Sequence, residues 1–326
     1  MPLYELKKDD WRPLPQSPAS SLVAFVDGGN AEIVKTPSAE IHRVRTAAVA
    51  TSGSRIAMVR QKEGFLTVKA SVQDSGKIVY KAQLFDSNLD RPVTENNGFL
   101  ELESFGISPA AAENDGSGLG RAAGAMRRIL ELAAANLFIE KGLSKNYDGG
   151  TRKFIVLDGT LETFSSREKS EMESLLAAAS GNNIIVGAVA KTCSLLTTEG
   201  EPLIAAADRI SEGKDGYIIV SHEKNERHKA TVCVARLNQN ASYIFRVETA
   251  DAGDLEAFLA ALKLQSNDLA FPGYPYGLIM ADRFARVSGN DAEITKSKMA
   301  ATANAEMKEL LRQEKALDAH RILDSM

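Results

Sequence analysis

The chain has 326 residues, 44% hydrophobic and 25% charged, with a formal net charge of −4, two cysteines and four histidines. That length exceeds one minimal core and points to a large elaborated domain or two lobes, and the balance of apolar and charged residues excludes a disordered chain. Net negative charge excludes a surface that grips nucleic acid all over but allows a local basic groove, while two cysteines in apolar surroundings (Cys193, Cys233) exclude a disulfide framework or a zinc site and read as packing residues.

No apolar stretch reaches the roughly 18 residues of a bilayer span, and "MPLYELKKDDW" carries charges where a signal peptide needs an apolar core. A cytoplasmic protein without membrane contact is expected. Residues 1–20 contain four prolines and read as an extended arm. The first firm strand is "LVAFV", ending at Asp27 in "DGGN", whose Gly and Asn are turn chemistry. Strand compositions follow at 40–53, 55–73 and 76–85, an antiparallel set, and residues 107–124 read as a loop feeding a helix over 121–143 with Met126, Ile129, Leu130, Ala133 and Leu137 at helical spacing. Strand, helix and strand then alternate: "KFIVLDGT" (153–160), "SREKSEMESLLAAAS" (166–180, opening at Ser166) and "NNIIVGAVAK" (182–191), which implies parallel pairing. Strands at 216–222, 229–237 and 241–248 predict a hairpin-rich lobe or a continuation of the sheet. Helices are expected at 252–264 and 276–288, then one long polar helix from about Ala292 to Ser325. The fold class is α/β: a ribonuclease-H-like mixed sheet flanked by helices, with a strand-rich insertion over about 214–250 and a helical C-terminus.

Two apolar strands that each end in Asp-Gly, at Asp27 and Asp158, form a constellation of the kind that holds metal ions. Two-metal nucleases converge three or four carboxylates on a pair of divalent ions about 3.5–4 Å apart, and such oxygen-rich sites suit Mg²⁺ or Mn²⁺. Each aspartate alone also reads as part of a turn. Glu131, set among Leu130, Ala133 and Ala134, is a candidate third ligand or the partner of Arg127 or Arg128 in a surface ion pair. Asp282 sits on a helix, as a ligand or a solvated acid. Lys191 closes a strand, where it reaches a phosphate, pairs with the site acids or is simply solvated, and Tyr274, preceding Pro275, either hydrogen-bonds a phosphate or packs. Weaker motifs are "GSGLGRAA", which no strand feeds, and "SHEKNERHK", whose His222, Glu223 and His228 lack metal-helix spacing and read as a charged hairpin tip. His42 and His320 have no ligand partners nearby in sequence.

"VAFVDGGN", "MRRILELAAA", "FIVLDGTL", "IIVGAVAK" and "YPYGLIMADRFA", in this order, resemble the NurA nuclease family over about residues 20–300. The resemblance implies a nuclease domain over 21–300 between the arm (1–20) and a C-terminal helix (301–326). It implies that Asp27, Glu131, Asp158 and Asp282 bind Mn²⁺ or Mg²⁺, two ions in all, and that Lys191 and Tyr274 act with them. Arg127, Arg128, Lys191 and Tyr274 would contact DNA. Asp282 stands where the family commonly has histidine, an exchange of a nitrogen for a harder oxygen ligand. The implied activity is a DNA nuclease on single strands and duplex ends, working as a homodimer docked on the HerA hexameric translocase in repair or phage defence. Arg152, Lys153, Arg283 and Arg286 are further positive charges expected near the site. Rival readings are a non-catalytic adaptor on an ATPase ring and an actin-like ATPase, which would need a duplicated core. A haloacid-dehalogenase-type phosphatase is excluded because Val156 stands at the nucleophile position.

Overall fold

The computed structural model describes residues 3–16, 21–53, 55–72, 74–76, 78–86, 100–101, 117–143 and 151–317. Among these the chain runs β1 (Leu3–Tyr4), β2 (Ser21–Lys35), β3 (Ala39–Ser52), β4 (Arg55–Val72), β5 (Ile78–Asp86), β6 (Leu100–Glu101), α1 (Ser117–Phe138), β7 (Arg152–Asp158), α2 (Ser166–Gly181), β8 (Ile184–Ala190), β9 (Leu196–Thr197), α3 (Leu203–Ser211), β10 (Gly216–Lys224), β11 (Lys229–Arg236), β12 (Phe245–Thr249), α4 (Leu255–Gln265), α5 (Tyr276–Ala285), α6 (Gly289–Ala301) and α7 (Ala305–Leu317).

Ten strands form one mixed sheet in the order β10-β11-β12-β8-β7-β2-β3-β4-β5-β6. β2 pairs in parallel with β7, and β7 with β8, while every other neighbour is antiparallel. The expected order of antiparallel strands, helix and β-α-β is present, and β10 to β12 continue the same sheet. Apolar residues on consecutive positions of β2 make it a strand buried on both faces. Leu22, Ala24 and Val26 pack with Leu132 and Ala135 of α1 and Leu175 of α2; Val23 and Phe25 pack with Phe258 of α4 and Leu278 of α5.

Several sequence expectations need correction. β2 does not end at Asp27: it runs on to Lys35, with Asp27, Gly28, Gly29 and Asn30 paired to Ala47, Thr46, Arg45 and Val44 of β3. "DGGN" is therefore strand, and its glycines serve close approach. A Cβ on Gly28 would lie 2.7 Å from Glu131 Cγ, and one on Gly29 only 2.4 Å from the Ala285 carbonyl oxygen. "LDGT" does turn, since Gly159 has φ 108°, a region that glycine enters without steric cost. α1 begins at Ser117, inside the expected loop, and Ile139–Leu143 continue it as a π-helical turn. α2 is capped one residue early: Ser165 Oγ accepts the Glu168 N–H. The long polar helix is two helices: the first ends at Ala301 with Thr302 as its cap, and Asn304 caps the second, its Oδ1 accepting the Met307 N–H at 2.9 Å. Residues 318–326, with His320, lie outside the described part. So do residues 17–20 of the arm and 107–116 of the expected loop, which take in the first glycine of "GSGLGRAA".

Residues 3–16 of the arm lie against the molecule. β1 pairs with β9, Arg12 exchanges backbone hydrogen bonds with Tyr217 of edge strand β10 at 2.9 and 2.8 Å, and Leu14 is buried. α3, unforeseen, had a legible signal in Pro202 before the apolar spacing Leu203, Ala206, Ala207.

Two glycines seat α5 on the sheet. Gly277 rides on the Phe25 ring, and Gly29 lies under the last carbonyl of the helix. Gly29→Ala would push a methyl into backbone that cannot rotate away. It should cost about 1–3 kcal/mol of unfolding free energy by urea denaturation; a cost below about 0.5 kcal/mol would mean that this contact does not hold α5 down.

Candidate active site

The three parallel strands deliver their functional residues at one sheet edge, because alternation along each strand selects a common face. Phe25 in β2, Phe154 and Val156 in β7 and Val189 in β8 face the α4–α5 side. Asp27, Asp158 and Lys191, each at an even offset from one of these residues, follow them onto that side. Parallel pairing of β2 with β7 stops at Val26–Leu157, so Asp27 begins the stretch of β2 from which β7 has departed. This is the carboxyl end of a parallel sheet, where open α/β folds bind ligands.

Asp27 is buried, and its Oδ1 accepts the Gly28 N–H at 2.7 Å. Burial first, then repulsion from Asp158 and from Glu131, pushes its carboxyl up to about 7. Asp158 Oδ2 accepts a hydrogen bond from Lys191 Nζ at 2.7 Å, and the same ammonium lies 3.6 Å from Asp282 Oδ1. Burial works against the Lys191 charge, but the Asp158 hydrogen bond and the surrounding carboxylates outweigh it and hold the ammonium above its ordinary range. Asp282 Oδ2 also accepts from Arg286 Nη2 at 2.7 Å.

Tyr274 closes the site from the aromatic side. Its ring stacks against Phe245 and Phe271, both with centroids 5.2 Å away, and Lys191 Nζ sits 5.5 Å over its face. The hydroxyl is buried and has no hydrogen-bond partner. Burial, then Asp158, Asp27 and Asp282, push the phenol far up, so the oxygen keeps its proton. An unsatisfied buried donor costs free energy unless something accepts from it.

Glu131 comes from the opposite face. α1 places it over Gly28, where the missing side chain leaves room for its carboxylate. Both oxygens are engaged, Oε1 by Arg127 and Oε2 by Arg128 at 3.2 Å. The ion pair anticipated from spacing is therefore present, but buried rather than at the surface. Burial raises the Glu131 carboxyl even against the two guanidinium groups. Arg127 also donates to the Gly28 carbonyl at 2.7 Å, and Arg128 donates to the Asp158 carbonyl at 3.3 Å and to that of Thr160. These arginines, expected at DNA, fasten the backbone around the two aspartates. Arg152 and Lys153 are at the amino end of β7, about 20 Å of strand from Asp158, and Lys153 Nζ donates to the Leu143 carbonyl. They stand apart from the site. Arg283 is exposed on α5 and Arg286 is paired with Asp282.

Sequence reading missed one cluster. Glu248 on β12 is fully buried and receives Arg246 Nε at 2.6 Å, the Leu161 N–H at 2.7 Å and, at 3.0 Å, His228 Nε2. Against strong desolvation, His228, Arg246 and the Leu161 amide hold its carboxyl below the usual range. His228 thus turns inward from the hairpin tip, and the cluster ties down the chain just after Asp158. Its signal was the alternate pair Arg246 and Glu248, which a strand puts on one side. His42, also without partners in sequence, is buried against Glu40 Oε2 at 2.9 Å and Asn30 at 3.2 Å. Cys193 and Cys233 are free thiols, the second fully buried.

Among the described residues, no group of three or more His, Cys, Asp or Glu side chains is gathered closely enough to hold a metal ion as it stands. No described helix is long and apolar enough to cross a membrane.

The family profile of the NurA domain matches residues 21–287. The chain belongs to the NurA family. This NurA domain starts at the first residue of β2 and ends just past α5, so it contains Asp27, Glu131, Asp158, Lys191, Tyr274 and Asp282 and leaves out the arm, α6 and α7. The chain is similar in fold to the crystal structure of the NurA nuclease from Sulfolobus solfataricus, at 15% identity and a TM-score of 0.54, over 90% of this chain and 89% of that one. It is similar to a second NurA crystal structure at 10% identity and a TM-score of 0.59, over 94% and 93% of the two chains. No curated protein matches the sequence. The mixed sheet with helices on both faces is the ribonuclease-H-like fold expected from the element order.

Proposed function

We propose that this chain is a divalent-metal-dependent deoxyribonuclease that hydrolyses phosphodiester bonds at the edge carrying Asp27 and Asp158. The observation that carries the reading is the crowding of Asp27, Asp158 and Glu131 at the carboxyl end of the parallel strands, close enough that Asp158 and Glu131 push the Asp27 carboxyl up and Asp158 pushes that of Glu131 up. The solved NurA nuclease of the same fold supports it. The donors are hard oxygens, suited to Mn²⁺ or Mg²⁺. Asp27 and Asp158 would hold the metal, with Glu131 and Asp282 as the further acids of a two-ion site. Magnesium in particular keeps several waters and binds through one or two carboxylates plus substrate phosphates. A site of that kind does not need three protein donors gathered in advance.

When bound, the ions supply Lewis-acid stabilisation of charge on the attacking and leaving oxygens. The chain's own groups do the rest. The Lys191 ammonium, kept charged, neutralises a phosphate oxygen. The Tyr274 ring, whose hydroxyl is buried, carries the Lys191 ammonium over its face. Arg127 and Arg128 hold Glu131 and the Gly28, Asp158 and Thr160 carbonyls, so the acids are fixed before DNA arrives.

Action on single strands and duplex ends, as a homodimer docked on a HerA-type hexameric ATPase, completes the proposal. Family membership supports it, and so does the net charge of −4, which leaves part of the DNA grip to a partner. The test is an assay on single-stranded and blunt-ended DNA with Mn²⁺, Mg²⁺ or chelator, with and without the translocase. Degradation with either ion and none with chelator is expected. Undiminished hydrolysis in chelator would overturn the metal site, and partner binding without hydrolysis under any condition would favour the adaptor reading.

A further inference from the structure

The segment that leaves Asp158 is held along its whole length, yet it presents a large aromatic side chain to solvent. Arg128 fastens the Thr160 carbonyl; the Leu161 amide donates to Glu248; the Thr163 amide and hydroxyl donate to the Arg227 carbonyl at 2.8 and 3.0 Å; the Phe164 amide donates to Glu168 Oε2 at 2.9 Å. Between the buried Thr163 and Ser165, Phe164 is 60% exposed. An exposed apolar ring is costly to display, and the hydrogen bonds on either side fix the backbone that carries it.

The charge beside it is unspent. Thr163 and Leu161 line a cleft of about 170 Å³ with Lys169, Arg227 and Lys229. Among the described residues these three cations make no ion pair, although Glu173 and Glu226 also line the cleft. Arg227 and Lys229 are exposed. An exposed aromatic one residue from Thr163, which lines a cleft carrying cations, is the kind of surface that single-stranded nucleic acid recognises, by stacking a base on the ring and running its phosphates over positive charge.

We propose that the 160–165 loop is a base-stacking platform: Phe164 takes the face of a nucleobase, and Arg227 and Lys229 take the phosphates of a single DNA strand. The platform rests on the nuclease reading and adds to it where the strand lies. It also gives the buried Glu248 cluster a purpose, since that cluster clamps the loop on which Phe164 stands.

Binding of a fluorescent oligo-dT strand, followed by anisotropy in EDTA, tests this with the full chain. Phe164→Ala should weaken binding about tenfold, and Phe164→Trp should restore it, because stacking tolerates any flat ring. Arg227→Ala with Lys229→Ala should lower the slope of log affinity against log salt by about 1.4, roughly 0.7 per phosphate contact on a single strand. If wild type binds and cleaves DNA while Phe164→Ala binds within about twofold of it, the platform is wrong and the nuclease reading stands. If Phe164→Ala changes oligomeric state at unchanged DNA affinity, the ring belongs to a protein contact and the platform is again overturned. A wild-type protein that neither binds nor cleaves DNA removes the nuclease reading itself.

Discussion

Asp158→Ala or Asp27→Ala should lower divalent-ion-dependent DNA hydrolysis by at least about 10³-fold while leaving the far-ultraviolet circular dichroism and thermal unfolding of a folded protein. Asp158 makes one side-chain interaction, with the half-exposed Lys191, a pair worth about 1 kcal/mol or less to stability once solvent screening is counted. Asp27 makes only the bond to its neighbour's amide and is opposed by two other acids, so its loss relieves repulsion. Neither change removes a packed core residue. The cost falls on charge stabilisation in the transition state, and the two losses should not add, because both residues serve one site: the double variant should be no worse than the single ones. Initial rates on a labelled single strand decide the matter, and full activity in both variants would sink the site.

In the metal-free protein at pH 8, Asp27→Asn should be more stable than wild type, by on the order of 2–4 kcal/mol. The sign follows from the direction of the shift. The folded state raises the Asp27 carboxyl from an ordinary 3.8 to about 7. Its contribution to stability is therefore fully present below pH about 4 and is lost as pH rises through 7, where ionisation is forced on a buried group beside Asp158 and Glu131. Asparagine keeps the shape and can still accept the Gly28 amide but never takes the charge. The advantage should vanish below pH about 4, and urea unfolding in EDTA at pH 4, 6 and 8 measures it. Equal stability at all three would show that Asp27 is not strained by its neighbours. Mn²⁺ should reverse the ranking by stabilising wild type alone, as any ligand that binds only the native state does.

The elements of this fold were largely legible because they rest on local periodicity. The runs 40–53, 55–73 and 153–160 became β3, β4 and β7 within a residue or two. Boundaries failed where a non-local partner overrode the local signal. "DGGN" has the composition of a turn, yet β3 pairs with it residue for residue, and its glycines answer to Glu131 and Ala285, far away in the chain. Asn304 was a legible cap that the polar composition around it obscured. His228 looked like hairpin surface because its partner, Glu248, lies 20 residues away on the neighbouring strand β12.

The sequence alone determined which residues follow the apolar runs, and hence that Asp27, Asp158 and Lys191 each close one of them; side-chain alternation and composition are properties of the chain itself. Only the tertiary structure decided that these three share a face with Tyr274 and Asp282, that Glu131 enters from the other side between two arginines, and that the chain beyond Asp158 is clamped by Glu248. Those facts depend on strand order, on parallel pairing and on where α1 and α5 settle. Such contacts are fixed by packing between distant segments, and no local pattern encodes them.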